Sequence, residues 1–143
     1  MSGSDGDGCS DSAGDSAIYR RYYEVASGNA VRQLEQETVG TDWGGNGYTT
    51  VAQVDELIEV LALRPEVQYV DLGSGAGWPG LFVAARSGCD VVLTDLTVAG
   101  MEAARQRADQ RSVANAQVVV AASERVPFAD SSFDAVSHAD LLC

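Results

Sequence analysis

Between Tyr69 and Gly80 the chain reads Tyr-Val-Asp-Leu-Gly-Ser-Gly-Ala-Gly-Trp-Pro-Gly. Val67–Leu72 reads as a short buried strand that leads into this stretch. Leu81–Arg86 leaves it with helical character. Without a Cβ, Gly73, Gly75 and Gly77 let the backbone turn through positive φ and come close to a ligand. Pro79 suits a first helical turn, where its missing N–H costs little. A strand that breaks at a glycine turn and resumes as a helix is half of a strand–helix–strand unit. Its turn lies at the carboxyl edge of the sheet, where open α/β folds bind ligands.

The rest of the chain repeats that alternation. Gly88 stands where a helix C-cap is expected, and Asp90–Asp95 reads as a second strand. Val98–Arg111 reads as a helix with Met101, Ala104 and Ala108 inward and Glu102, Arg105, Arg107 and Asp109 outward or flanking. Gln117–Ala122 is a third strand and Phe133–Ser137 a fourth. Strands alternating with helices imply a doubly wound parallel α/β sheet. Upstream, residues 1–15 are Gly, Ser and Asp with almost no apolar side chain, which predicts a solvated tail. Residues 16–48 predict a helical cap. Ser16 caps a helix carrying Ile18, Tyr19, Tyr22, Tyr23 and Ala26 on one face, and Ala30–Thr38 forms a second helix. A glycine-rich loop with Trp43 and Tyr48 follows, suited either to covering a site or to plugging the sheet edge. From residue 49 the sheet-forming domain begins, with Thr49 or Thr50 starting a helix whose stripe is Val51, Val54, Leu57, Ile58 and Leu61.

Two ligand classes fit the glycine turn. Read as Gly75-x-Gly77-x-x-Gly80, it satisfies the dinucleotide fingerprint, and the chain is then an NAD(P)-dependent oxidoreductase. Read as Asp71-x-Gly73-x-Gly75-x-Gly77, it sets an acid at the strand end ahead of three alternating glycines. A pyrophosphate beside that acid is unfavourable. Asp95 ends the second strand, 24 residues after Asp71, where a carboxylate can accept from ribose hydroxyls in either reading. The third strand runs into Ala-Ser123-Glu124-Arg-Val-Pro127-Phe128, and Pro127-Phe-Ala-Asp-Ser-Ser-Phe133-Asp134-Ala-Val follows.

The second register, with Asp95 and the Pro-Phe to Phe-Asp run, resembles the class I S-adenosylmethionine-dependent methyltransferases over roughly Val67 to Cys143. That resemblance implies a Rossmann-like fold binding S-adenosyl-L-methionine and releasing S-adenosyl-L-homocysteine. It implies cofactor contact from Asp71, Gly73, Ser74, Gly75, Gly77, Asp95, Leu96, Ser123 and Glu124. Asp71, Gly73, Gly75 and Gly77 then hold the methionyl end, Asp95 the ribose, and Ser123 with Glu124 the adenine, where the family commonly has Asp. Asp71 has a second role open to it, bonding the loop's own amides. His138, next to Asp140 near the fourth strand, is the candidate base for deprotonating an acceptor. The family's sheet usually has seven strands and four are counted here. The expectation is therefore a chain truncated after the fourth strand, or a cofactor-binding fragment without activity of its own.

Composition bounds the partners. Nine Lys+Arg against 21 Asp+Glu give a formal net charge of −12, of which residues 1–16 supply four Asp and no cation. Affinity for a nucleic-acid backbone rests on Lys and Arg displacing counterions, so a small-molecule methyl acceptor is expected and nucleic acid is not. No apolar run reaches the roughly 18 residues of a membrane span. Cys9, Cys89 and Cys143 show no metal spacing, and with the single His138 they make no zinc set, so no metal is expected. They read as reduced thiols of a cytoplasmic protein. An open fourth-strand edge offers a second copy a pairing surface, a route to a homodimer.

Overall fold

The structure is a computed structural model that describes residues 12–26, 28–45 and 49–139. These residues form α1 (Ser12–Ala26), α2 (Asn29–Thr38), α3 (Val51–Val60), β1 (Gln68–Leu72), α4 (Gly80–Ser87), β2 (Asp90–Asp95), α5 (Val98–Gln110), β3 (Ala116–Val120) and β4 (Ala135–His138). The four strands make one parallel sheet in the order β3-β2-β1-β4. From β1 the chain steps outward twice, each time through a helix, then returns past β2 and β1 to add β4 on the far side. The Rossmann-like α/β class expected from the alternation is the one found, and the reversal beside β1 marks the ligand-binding crevice of such sheets.

The core lies between one face of the sheet and the helices α4 and α5. Tyr69, Val91 and Leu93 meet Leu81, Val83 and Ala84 of α4 and Met101, Ala104 and Ala108 of α5, all buried. Burying one such aliphatic side chain contributes about 2 kcal/mol. Each helix is bounded locally. The hydroxyl of Thr50 accepts from the Gln53 amide at 3.3 Å while Gln53 Oε1 accepts from the Thr50 amide at 2.8 Å, a capping box that starts α3. Gly88 ends α4 at φ 75°, a left-handed C-cap. Among the described residues no helix is long and apolar enough to cross a membrane, and no cluster of His, Cys, Asp or Glu could hold a metal.

The cap differs from its expected form. α1 begins at Ser12, four residues before the expected start at Ser16. The expected tail is otherwise outside the described residues. The aromatic face of α1 is split: Ile18 and Tyr22 are exposed, while Tyr23 and Ala26 turn inward. Trp43 is a plug and not a cover. Its ring meets Phe82 edge-on at 5.8 Å, and the Arg111 guanidinium lies 4.4 Å from its centroid while pairing with Asp42. Tyr48 and Asp140 lie outside the described residues. Arg107, expected outward or flanking, reaches back to the glycine turn, where its guanidinium donates to the Ala76 carbonyl. A long side chain can leave a flanking position and cover apolar surface on the way.

Gly80 begins α4 under the sheet. A Cβ there would overlap Leu93 and lie 2.8 Å from Asp71 Oδ2. Gly80→Ala is expected to lower stability by about 2 kcal/mol, read from urea unfolding midpoints at constant m-value. An unchanged midpoint would show that the helix start is not tightly packed.

Candidate cofactor site

The glycine turn is closed upon itself. Gly73, Gly75 and Gly77 all have positive φ (72°, 51° and 105°), which only glycine adopts at little cost. The amide of Gly75 donates to Asp95 Oδ2 at 3.0 Å and that of Gly77 to the Ser74 carbonyl at 2.8 Å. The amide of Gly80, at the start of α4, donates to Asp71 Oδ2 at 3.1 Å. Ser74 is buried and its hydroxyl donates to the Asp71 carbonyl at 2.7 Å. These donors are therefore already engaged, and the helix start carries a carboxylate of its own. A pyrophosphate would have to displace Asp71, which removes the geometric basis of the dinucleotide register.

Asp71 is fully buried. Its Oδ1 accepts from the Ser137 hydroxyl at 2.8 Å, and Ser137 in turn is bonded by the Tyr69 hydroxyl. Asp71 and Ser137 are register partners on β1 and β4. Of the two roles open to Asp71, the geometry is that of holding the loop. Burial pushes its carboxyl up to about 6, against the pull of the hydrogen bonds from Ser137 and Gly80.

In front of this scaffold lies a cavity of about 270 Å³. Its walls are Gly73 at the end of β1, Asp95, Leu96 and Thr97 after β2, and Ala122, Ser123 and Glu124 after β3, with Tyr23 of α1 on the remaining side. Of the residues expected at a cofactor, Gly73, Asp95, Leu96, Ser123 and Glu124 are gathered here. Asp71, Ser74, Gly75 and Gly77 stand behind it, and His138 is at the exposed end of β4, opposite Leu72 and outside the lining. Asp95 Oδ1 accepts from the Thr97 amide at 2.8 Å and hydroxyl at 2.7 Å. With Gly75 on Oδ2, three of the roughly four acceptor sites of the carboxylate are taken, leaving about one for a ligand hydroxyl. Leu96 is 72% exposed although it is a large apolar side chain, which suits the flat face of a ring.

Among the described residues the lining holds two carboxylates and no Lys or Arg. A polyanion has no counter-charge there, whereas a ligand offering hydroxyls, an exocyclic amine and a cationic group does. Three contributors escaped the sequence reading: Tyr23, Thr97 and Gly100. A Cβ on Gly100 would come within 2.9 Å of the Tyr23 hydroxyl, 2.7 Å of Thr97 Oγ1 and 3.1 Å of the Gly75 carbonyl. Gly100 thus lets α1 and the glycine turn close on α5. A glycine inside a helix costs about 1 kcal/mol against alanine, and that was the visible signal.

A family model described as a methyltransferase domain matches residues 70–143. Among solved structures, the YcgJ protein from Bacillus subtilis is similar with a TM-score of 0.55 at 26% identity, over 59% of this chain and 36% of that one. A SAM-dependent methyltransferase from Thiobacillus denitrificans, crystallised with S-adenosyl-L-homocysteine, is similar with a TM-score of 0.54 at 26% identity, over 62% of this chain and 36% of that one. A SAM-dependent methyltransferase from Aquifex aeolicus shares the fold with a TM-score of 0.60 at 13% identity, over 83% of this chain and 55% of that one. The chain spans roughly a third of the length of several structures it matches. No curated protein matches it.

The buried carboxyl of Asp71 gives stability a pH dependence of known sign. Its folded-state value of about 6 lies above the ordinary 3.8, so between these values the folded protein holds a proton that the unfolded chain has released. Stability contributed at this group therefore falls as pH rises through that window, by about 3 kcal/mol in all. Relative to Asp71→Asn, the wild-type chain should gain urea stability on going from about pH 7 to about pH 4. Parallel pH profiles for the two chains would mean that Asp71 titrates normally.

Proposed function

The chain belongs to the methyltransferase-domain family, and on that premise we propose that the cavity at the ends of β1, β2 and β3 binds S-adenosyl-L-methionine for transfer to a small-molecule acceptor. The observation that carries the reading is the lining itself: three strand ends, two carboxylates and, among the described residues, no cation around one cavity. Asp95 accepts from one ribose hydroxyl at its remaining site. Thr97, whose hydroxyl donates to Asp95, has lone pairs for the other. Leu96 packs on the adenine face, and Ser123 or Glu124 accepts from its amine. Gly73 leaves room beside the strand end for the methionyl chain.

When bound, the cofactor supplies an electrophilic methyl group on a sulfonium. The chain supplies position. Asp71, Ser74, Gly75 and Gly77 keep the turn rigid from behind, so that its shape is set before a ligand arrives. Tyr23, on α1, closes the side of the cavity away from the sheet and limits water there. His138 is 66 residues beyond Leu72 in sequence but pairs with it in register, at the β1–β4 end of the same sheet edge. There it is a candidate base for the acceptor.

Calorimetric titration tests the reading. Adenosylhomocysteine is expected to bind the chain in the micromolar range with NADH giving no heat, and Asp95→Ala should weaken binding about tenfold or more. Micromolar NADH affinity without adenosylhomocysteine binding would overturn it.

A further inference from the structure

A second cavity, of about 300 Å³, adjoins the first, with Tyr23 in the walls of both. Helices α1 and α2 line it through Val25, Val31 and Leu34, while α5 and the glycine turn line it through Ala103 and Ala76. Its rim is apolar yet open to water: Val25 and Leu34 are 63% and 61% exposed. Within this lining stands Glu35, only 7% exposed. A carboxylate in such a place is costly unless paired.

The backbone N–H of Gly44 donates to Glu35. Among the described residues the ion pairs within 4.0 Å join Arg64 to Glu66, Arg86 to Asp55 and Arg111 to Asp42, and none includes Glu35. Arg107 lines the same cavity and, with Arg32, attracts Glu35 from beyond that distance, while its guanidinium donates to the Ala76 carbonyl of the glycine turn. Burial pushes the Glu35 carboxyl up against the pull of Arg107, the Gly44 amide and Arg32. The net charge of −12 draws cations toward the protein and repels anions.

We propose that this cavity is the acceptor site and that its ligand is a small hydrophobic amine, held by its ammonium on Glu35 with its apolar body against α1 and α2. The proposal rests on the methyltransferase reading of the adjoining cavity and adds a substrate class to it. A protonated nitrogen has no lone pair, so the ammonium is the handle by which the ligand is held and the nucleophile is another atom of the ligand.

Phenethylamine, phenethyl alcohol and hydrocinnamate share an apolar body and differ in charge. Titrated into the full chain near neutral pH in about 0.1 M salt, the amine should bind about tenfold tighter than the alcohol, with the carboxylate weakest. In Glu35→Gln the preference for the amine should fall to about twofold or less while affinity for the alcohol is kept. Equal binding of amine and alcohol to the wild-type chain, or a preference that survives in Glu35→Gln, overturns the proposal. The wild-type comparison decides even where the variant does not fold. Adenosylhomocysteine titrated into the same samples separates the two claims. Its binding without amine preference removes only the amine site, and amine preference without its binding keeps an amine site but overturns its role as acceptor site.

Discussion

The carboxylate and carbonyl of Asp71 join a helix, two strands and the glycine turn. Through Oδ2 they hold the first amide of α4, through Oδ1 the hydroxyl of Ser137 on β4, and through the carbonyl the hydroxyls of Ser74 at 2.7 Å and Thr94 at 3.4 Å. One buried residue of β1 therefore fixes the helix behind the turn, the strand beside it and the turn itself. Hydrogen bonds to a charged group contribute about 2 kcal/mol each, while an unpaired buried carboxylate would be costly by more than any one of them returns. The set works only when complete. Gly80 lacks a Cβ for that reason: any side chain there would separate the amide from its acceptor.

From this constraint the cavity takes its shape. The turn spends its amides at Gly75, Gly77 and Gly80 on internal partners and presents Gly73 to the front. Asp95 belongs to both layers. One oxygen anchors Gly75 and the other organises Thr97, so the ribose-side acceptor is rigid because it is also a strut. The N-terminal helices are attached at the same place. Gly100 admits the Tyr23 hydroxyl, and Arg107 ties α5 to the Ala76 carbonyl, so cap, turn and strand ends form one assembly around two adjoining cavities.

Much of this was legible in the sequence, and the reasons differ by residue. The strands and the glycine turn were visible because period and positive-φ demand are local properties; DVVLTD is β2 residue for residue. Asp95, Ser123 and Glu124 were visible because each follows a strand end, and parallel strands bring their carboxyl ends to one edge. The division of the turn into lining and scaffold was not. Whether Asp71 faces a ligand or a helix amide depends on a partner, Ser137, 66 residues away. Arg107 sat where helical periodicity puts a flanking charge, and periodicity is blind to how far a long side chain reaches back. Tyr23 and Tyr22 are adjacent and chemically alike, yet only the packing of α1 on α5 decides which turns toward the site.

The central claim is that the front of this assembly is an adenosine site. Soaking crystals of the chain with adenosylhomocysteine tests it most directly. The expected result is density with the ribose on Asp95 and Thr97, the adenine over Leu96 beside Ser123 and Glu124, and the Asp71 contacts unchanged. Density for the compound elsewhere, or an empty cavity at saturating concentration, would contradict the claim.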